Sequence, residues 1–305
     1  EVGATGVTLA TIGSAMNHQE LFSHFRHLLI DECHVCSASS GMYKAFIERM
    51  EETGVLGMTA TPYRLASNSF GCCLRFLTRT RPRIFHRVIH VTQNAELFQS
   101  GHLAKLEYFS VPGFDRNQLR PNSTGNDFTD SSVQQYFWKT NFNAKLADIT
   151  RRVSAKRKNV LVFTRFVEEA KYIAENVPSC AMVSAVTPPK ERAAIVSGFR
   201  SGAIKAVANV GVLAIGFDYP ELECVVMASP TMSLAQYYQK IGRAVRPHPG
   251  KASAWIVDLC GNVGQFGHVE DLYLAQDEKG LWHVASRGRQ LTNVYYGKQY
   301  SPAHA

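Results

Sequence analysis

Two adjacent carboxylates, Asp31 and Glu32, follow the apolar run Leu28-Leu29-Ile30 and precede Cys33 and His34. A buried strand ending on such a pair delivers both side chains at its C-terminal edge, where parallel α/β sheets hold ligands. An aspartate there can hold a magnesium ion through water, and the neighbouring glutamate can orient or deprotonate an attacking water. Three more polar clusters also trail apolar runs: Thr59-Ala60-Thr61-Pro62, Gly216-Phe217-Asp218, and the stretch from Gln239 through Arg243 to Arg246. Steps of four and three between Gln239, Arg243 and Arg246 predict a shared helical face. Two arginines directed from that face into a cleft can neutralise a triphosphate. Singly, each cluster also fits a plainer reading: a solvated turn, a hydroxyl-capped loop, a glycine turn with a capping aspartate, a basic surface helix.

The elements that would position these groups are legible as pattern. Residues 7–10, 28–30, 55–58, 160–163, 206–212, 225–227 and 255–257 are apolar runs without in–out alternation, which predicts fully buried parallel strands. Between them lie helical patterns. Phe166, Val167, Ala170, Ile173, Ala174 and Val177 recur at a spacing near 3.6 residues. Thr187 before Pro188 predicts a helix N-cap, and Ser233 with Gln236 a capping box. Strand–helix alternation predicts a doubly wound α/β architecture. A composition shift places one domain at residues 1–100, a second at 101–275 opened by a strand at 106–111, and an appendage at 276–305. Residues 112–130, rich in Asn, Ser, Gly and Pro, read as a long exposed loop.

All four clusters in this order, each after its own strand, resemble the superfamily 2 helicases and translocases. Asp31-Glu32-Cys33-His34 is similar to their motif II in the DECH form, Thr59-Ala60-Thr61 to motif III, residues 160–165 to motif IV, Gly216–Asp218 to motif V and residues 239–246 to motif VI. Thr11-Ile12-Gly13-Ser14 resembles motif Ib. The flanks, Thr61-Pro62-Tyr63-Arg64-Leu65 and Asp258-Leu259-Cys260-Gly261-Asn262-Val263, look most like the RadD-like branch of bacterial and phage DNA helicases. The resemblance implies two RecA-like domains with ATP between them. It implies magnesium on Asp31, catalysis by Glu32, and nucleotide contacts from His34, Gly216, Asp218, Gln239, Arg243 and Arg246, the two arginines completing the site as fingers. It further implies that His34, Thr59, Ala60 and Thr61 couple nucleotide to nucleic acid, and that Thr11, Ser14, Arg64, Thr164, Arg165 and Asn209 touch nucleic acid, with DNA favoured over RNA.

Length and composition set the outer limits. The 305 residues are 45% hydrophobic with 17 Phe and 12 Tyr, which excludes bulk disorder. No apolar run approaches the ~20 residues a membrane helix needs and no signal pattern opens the chain, so a cytoplasmic protein is expected. Seven cysteines suit reduced thiols, and their spacing does not predict a zinc site. The net charge of +8 suits an anionic partner, nucleic acid first, or simply a mildly basic enzyme. Arginines 64, 75, 79, 81, 83 and 87 occur with no acid until Glu96, and Arg151, Arg152, Lys156, Arg157 and Lys158 form a second cluster. Near the C-terminus Trp282, Arg287, Arg289, Tyr295, Tyr296, Lys298 and Tyr300 interleave aromatics with cations, a composition that can stack bases. No Gly-x-x-x-x-Gly-Lys-Ser/Thr phosphate loop occurs, and Glu1 stands where Met is usual. The expectation is therefore a motor segment, truncated at its N-terminus or partnered by a separately encoded phosphate-loop-bearing segment and inactive as an ATPase alone, or a non-catalytic nucleic-acid-binding remnant. The motor portion of a restriction-type translocase is a further alternative.

Overall fold

The computed structural model describes residues 6–50, 53–68, 71–123, 127–212 and 219–296. In chain order the first elements are α1 (Ile12–Asn17), β1 (His27–Ile30), α2 (Met42–Arg49), β2 (Gly54–Gly57), β3 (Tyr63–Asn68), β4 (Gly71–Phe76) and α3 (Asn94–Gln99). β1 and β2 pair in parallel, Leu28 beside Val55, and β3 and β4 form an antiparallel hairpin.

Then follow β5 (Leu106–Ser110), α4 (Asp130–Lys139), α5 (Phe142–Ser154), β6 (Val160–Thr164), α6 (Val167–Asn176), β7 (Cys180–Val183), α7 (Pro189–Ser201), β8 (Ala206–Asn209), β9 (Cys224–Ala228), α8 (Leu234–Ile241), β10 (Ala254–Asp258) and α9 (Asn262–Phe266). Six of these strands form one wholly parallel sheet in the order β5-β10-β9-β6-β8-β7. Its two faces belong to two separate apolar clusters. Leu161, Phe163, Val225 and Met227 point into one, and Val160, Val162, Cys224 and Val226 into the other. Helices cover both faces, so the uninterrupted apolar runs are what the strands require. The chain closes with β11 (Leu272–Gln276), β12 (Trp282–Ser286), β13 (Arg289–Gln290) and β14 (Tyr295–Tyr296).

Several expectations are corrected. Residues 7–10 form no strand, and Val7 and Leu9 are exposed. β1 and β2 are not fully buried, because each has only the other as a strand neighbour among the described residues and Leu29 faces solvent. The expected long exposed loop at 112–130 is anchored: Leu119 and Phe128 are buried, and Pro121 bridges to Phe128. Thr187 does not cap α7; Pro188 occupies that position, and the Thr187 hydroxyl instead accepts from the Ser184 N–H at 2.9 Å. The C-terminal stretch is strand-rich and reaches back to the first part of the chain, β14 adding to β4. Tyr63, Leu74 and Phe76 of the hairpin share a core cluster with Leu106, Tyr237 and Leu291.

Candidate nucleotide and nucleic-acid site

The carboxylate pair sits where β1 ends. The Ile30 carbonyl accepts from the Met58 N–H at 2.9 Å, and the Cys33 N–H donates to the Met58 carbonyl at 3.0 Å, so the DECH turn and the loop after β2 are tied backbone to backbone. Gly57 lies directly under that turn. A Cβ there would fall 2.6 Å from Cys33 Sγ and 2.5 Å from the Phe85 ring. Glu32 adopts φ 49°, ψ 43°, a left-handed conformation costing a non-glycine residue about 1–2 kcal/mol. Its N–H donates to Asp31 Oδ1 at 2.9 Å. Asp31 and Glu32 are exposed, while Cys33 is buried and its thiol is pushed up to about 12 by burial. That thiol is a packing group, not a nucleophile.

His34 is the hub. Its Nδ1 lies 2.9 Å from Thr59 Oγ1 and 3.2 Å from Glu32 Oε2, and its Nε2 lies 3.3 Å from Gln239 Nε2. A neutral ring protonated on Nδ1 satisfies these contacts, with Nε2 accepting from the Gln239 amide. The Thr59 hydroxyl also accepts from the Thr61 N–H at 3.0 Å. Thr61 is buried and Ala60 exposed.

Opposite stands α8, started by Ser233, whose hydroxyl accepts from the Gln236 N–H at 3.2 Å. α8 ends at Ile241, which corrects the expectation of one helical face. Gln239 is helical, but Arg243 and Arg246 lie in the turns beyond, where the Arg243 and Ala244 N–H groups bond three residues back to Lys240 and Ile241. The tightened turn before Pro247 carries the arginines off the helix axis. Burial draws the Arg243 guanidinium below its usual value, and the Glu32 carboxylate opposes that. Arg246 is half-buried.

The remaining expected contacts are scattered. Thr11 caps α1, accepting from the Ser14 N–H, and the two hydroxyls are 3.0 Å apart. Arg64 donates to the Val35 carbonyl at 3.3 Å, just past the DECH turn. Thr164 is buried and donates to the carbonyls of Phe166 and Asn209. Asn209 is fully buried and accepts from the Val212 N–H. Arg165 donates to Asp127, Asp130, Phe128 O and Pro230 O, so all three of its nitrogens are committed within the protein. Gly216 and Asp218 lie outside the described residues.

A buried polar network behind α8 escaped the sequence reading as a positioning device. Asp258, at the end of β10, accepts from the N–H groups of Cys260 and Val263 and from Asn262 Nδ2. Burial raises its pKa, opposed by these bonds and by Arg116. Asn262 Oδ1 accepts from Thr231 N–H and Arg116, and the Thr231 hydroxyl accepts from the N–H of Ser233, the α8 cap. Lys251 Nζ donates to the carbonyls of Pro220, Leu222 and Ala244, joining the motif VI turn to the segment after motif V. The available signal was a strand ending in Asp four residues before Asn.

Fold and cleft together define an α/β protein of the RecA-like kind. The family model "Helicase conserved C-terminal domain" matches residues 143–248, and "Type III restriction enzyme, res subunit" matches residues 4–64. These matches, with the relatives described next, support a superfamily 2 helicase. It is 25% identical over 256 residues to a 51.5 kDa protein of Lactococcus phage (isolate 7-9), covering 83% of this chain and 53% of that one. It is 23% identical over 248 residues to a Saccharomyces cerevisiae protein provisionally named ATP-dependent helicase IRC3, covering 77% and 34%. Among solved structures, a fragment of a provisionally assigned HsdR subunit of a type I restriction enzyme from Vibrio vulnificus YJ016 superposes with a TM-score of 0.60 at 20% identity, over 83% of this chain and 46% of that one. The ATP-dependent Type ISP restriction-modification enzyme LlaBIII, solved bound to DNA, superposes with a TM-score of 0.54 at 17% identity, over 81% and 19%. The chain thus spans from about a third to about half the length of the two curated relatives described. Among the described residues no helix is long and apolar enough to cross a membrane.

Proposed function

We propose that this chain is the cleft-forming part of an ATP-dependent translocase that moves on DNA, closest in kind to the RadD-like branch, with residues 1–100, 101–275 and 276–305 as its units. One observation carries the reading: His34 bonds to Thr59 on one side and to Gln239 on the other, so a single ring reports whether the cleft is closed. The donor set fits magnesium triphosphate. Hard carboxylate oxygens of Asp31 and Glu32 stand at the end of β1, and magnesium is held by one or two carboxylates plus phosphates. Asp31 would hold the ion, which neutralises charge on the phosphate oxygens when bound. Glu32 accepts the proton of the attacking water, and Arg243 and Arg246 stabilise charge on the transferred group. His34 and Thr59 relay closure to the loop that Thr61 pins. The lack of a phosphate loop in this sequence supports a requirement for one supplied with it.

The test is nucleic-acid-stimulated ATPase in a form of the protein that hydrolyses ATP. His34→Ala should keep basal turnover within a few-fold and lose most of the stimulation. Stimulation unchanged by His34→Ala would refute the relay. The match of residues 4–64 to a restriction-enzyme subunit favours a second reading, the motor of a restriction-type translocase. Translocation without strand separation would select it.

A further inference from the structure

We propose that the arginine-rich loop and the C-terminal strands together form a trough for single-stranded nucleic acid, separate from the DECH cleft and built as one unit. The inference rests on reading the chain as a nucleic-acid-binding motor. It adds a site composed jointly of residues 75–88 and 276–293, which the motifs do not include.

The trough begins as a cavity of about 630 Å³. One wall carries Arg75, Arg79, Arg81, Arg83, His86 and Arg87. The other carries Gln276, Leu281 and the half-buried Trp282. A second cavity of about 430 Å³ shares Arg75 and Arg81 and adds Arg64, Ser37 and Ser39, leading toward the segment after the DECH turn. Among the described residues neither lining contains a carboxylate. An acid beside the first cavity, Asp277, lies 3.9 Å from Arg79; its carboxylate also accepts from the N–H groups of Lys279 and Leu281 and so shapes the turn before Trp282.

The walls are held in place. Asn293 ties them together: its N–H donates to Leu74 O, its Oδ1 accepts from Phe76 N–H at 3.0 Å, and its Nδ2 donates to Trp282 O at 3.1 Å. Beneath the arginines, Ile84 and Phe85 pack on the Ile30–Cys33–Leu77 cluster, and Val88 packs on the main core. The loop thus turns its apolar residues inward while Arg83 and Arg87 stay exposed.

Gathering this many like charges with Asp277 as the acid beside them leaves an excess of positive charge that an anion offsets. Planar guanidinium groups bind phosphate oxygens bidentately, and an indole offers a face on which any base can stack. Two cavities that share Arg75 and Arg81 in their linings put arginines on both, which suits a chain of phosphodiesters better than one free nucleotide. An isolated polyphosphate would need only the first.

The experiment is fluorescence anisotropy of a labelled twenty-residue oligothymidylate with the intact chain, across a range of salt. Thermal midpoints serve as a folding control, since Arg83 and Arg87 are exposed. Arg83→Ala with Arg87→Ala should weaken binding at least tenfold and flatten the salt slope by about 1.4, roughly 0.7 for each phosphate that is no longer neutralised. Trp282→Ala should cost between about fivefold and a hundredfold, and Trp282→Phe much less. Strand binding by the wild type that is unchanged in affinity and slope by the double arginine change overturns the trough alone. Inorganic tripolyphosphate binding that the double change abolishes, while strand binding persists, overturns it in favour of a free polyphosphate site. No strand binding by the wild type at low salt overturns both the trough and the nucleic-acid reading beneath it.

Discussion

β6 and β1 have similar sequences and opposite fates. In β6 every residue is buried, whereas in β1 only Ile30 is, and Leu29 keeps 61% of its surface exposed. β6 lies between β9 and β8 in a sheet covered on both faces; β1 has β2 alone beside it among the described strands. In the parallel sheet, depth holds the loops. Around Glu32 the hold comes from specific bonds, Cys33 to Met58 and His34 to Thr59. The carboxylate edge is thus built on a shallow support, while the region that presents Gln239 and the arginines is built on a deep one.

The largest expected effect falls on the arginines that the deep side presents. Arg246→Ala should lower kcat by about 10³–10⁵ in a form of the protein that hydrolyses ATP, with a much smaller change in nucleotide affinity. Steady-state turnover beside nucleotide titration measures both, and an unchanged kcat would leave Arg246 as a turn residue only. On the shallow side Glu32→Gln should reduce turnover by about 10²–10⁴ and spare nucleotide binding.

The contrast in depth can be measured without any nucleotide. Leu161→Ala, at a fully buried position, should cost about 2–5 kcal/mol in denaturant unfolding. Leu29→Ala should stay within about 0.5 kcal/mol. Equal costs would show that β1 is covered in solution and would break the comparison.

A smaller effect sharpens it by pH. Glu169 is buried in α6, and burial raises its pKa from 4.5 to about 7. Between those values the folded state holds a proton that the unfolded state has lost, so Glu169's stabilising share is full below 4.5 and disappears as pH rises through about 7. Gln at this position still accepts from Phe166 N–H and does not titrate. Glu169→Gln should therefore gain on wild type from pH 5 to pH 8, by an amount on the order of 2 kcal/mol. Parallel stability–pH curves would assign the slope to other groups.

What the sequence determined by itself was local. Apolar runs identified β6, β9 and β10, because a strand buried on both faces admits few polar residues, and they marked β1 and β2 as strands while overstating their burial. Ser233 announced the start of α8, because a hydroxyl before an amphipathic pattern satisfies an otherwise orphan N–H. Partnership was decided only by tertiary structure. Arg165, implied to touch nucleic acid, is enclosed by Asp127 and Asp130, and Arg243 leaves its helix because the chain tightens into a turn before Pro247. The C-terminal strands have no period of their own, and only the folded chain shows β14 pairing with β4, more than two hundred residues earlier. Periodicity records which face a residue presents, and only the folded chain brings a partner to that face; His34 meets Gln239 across 205 residues for that reason.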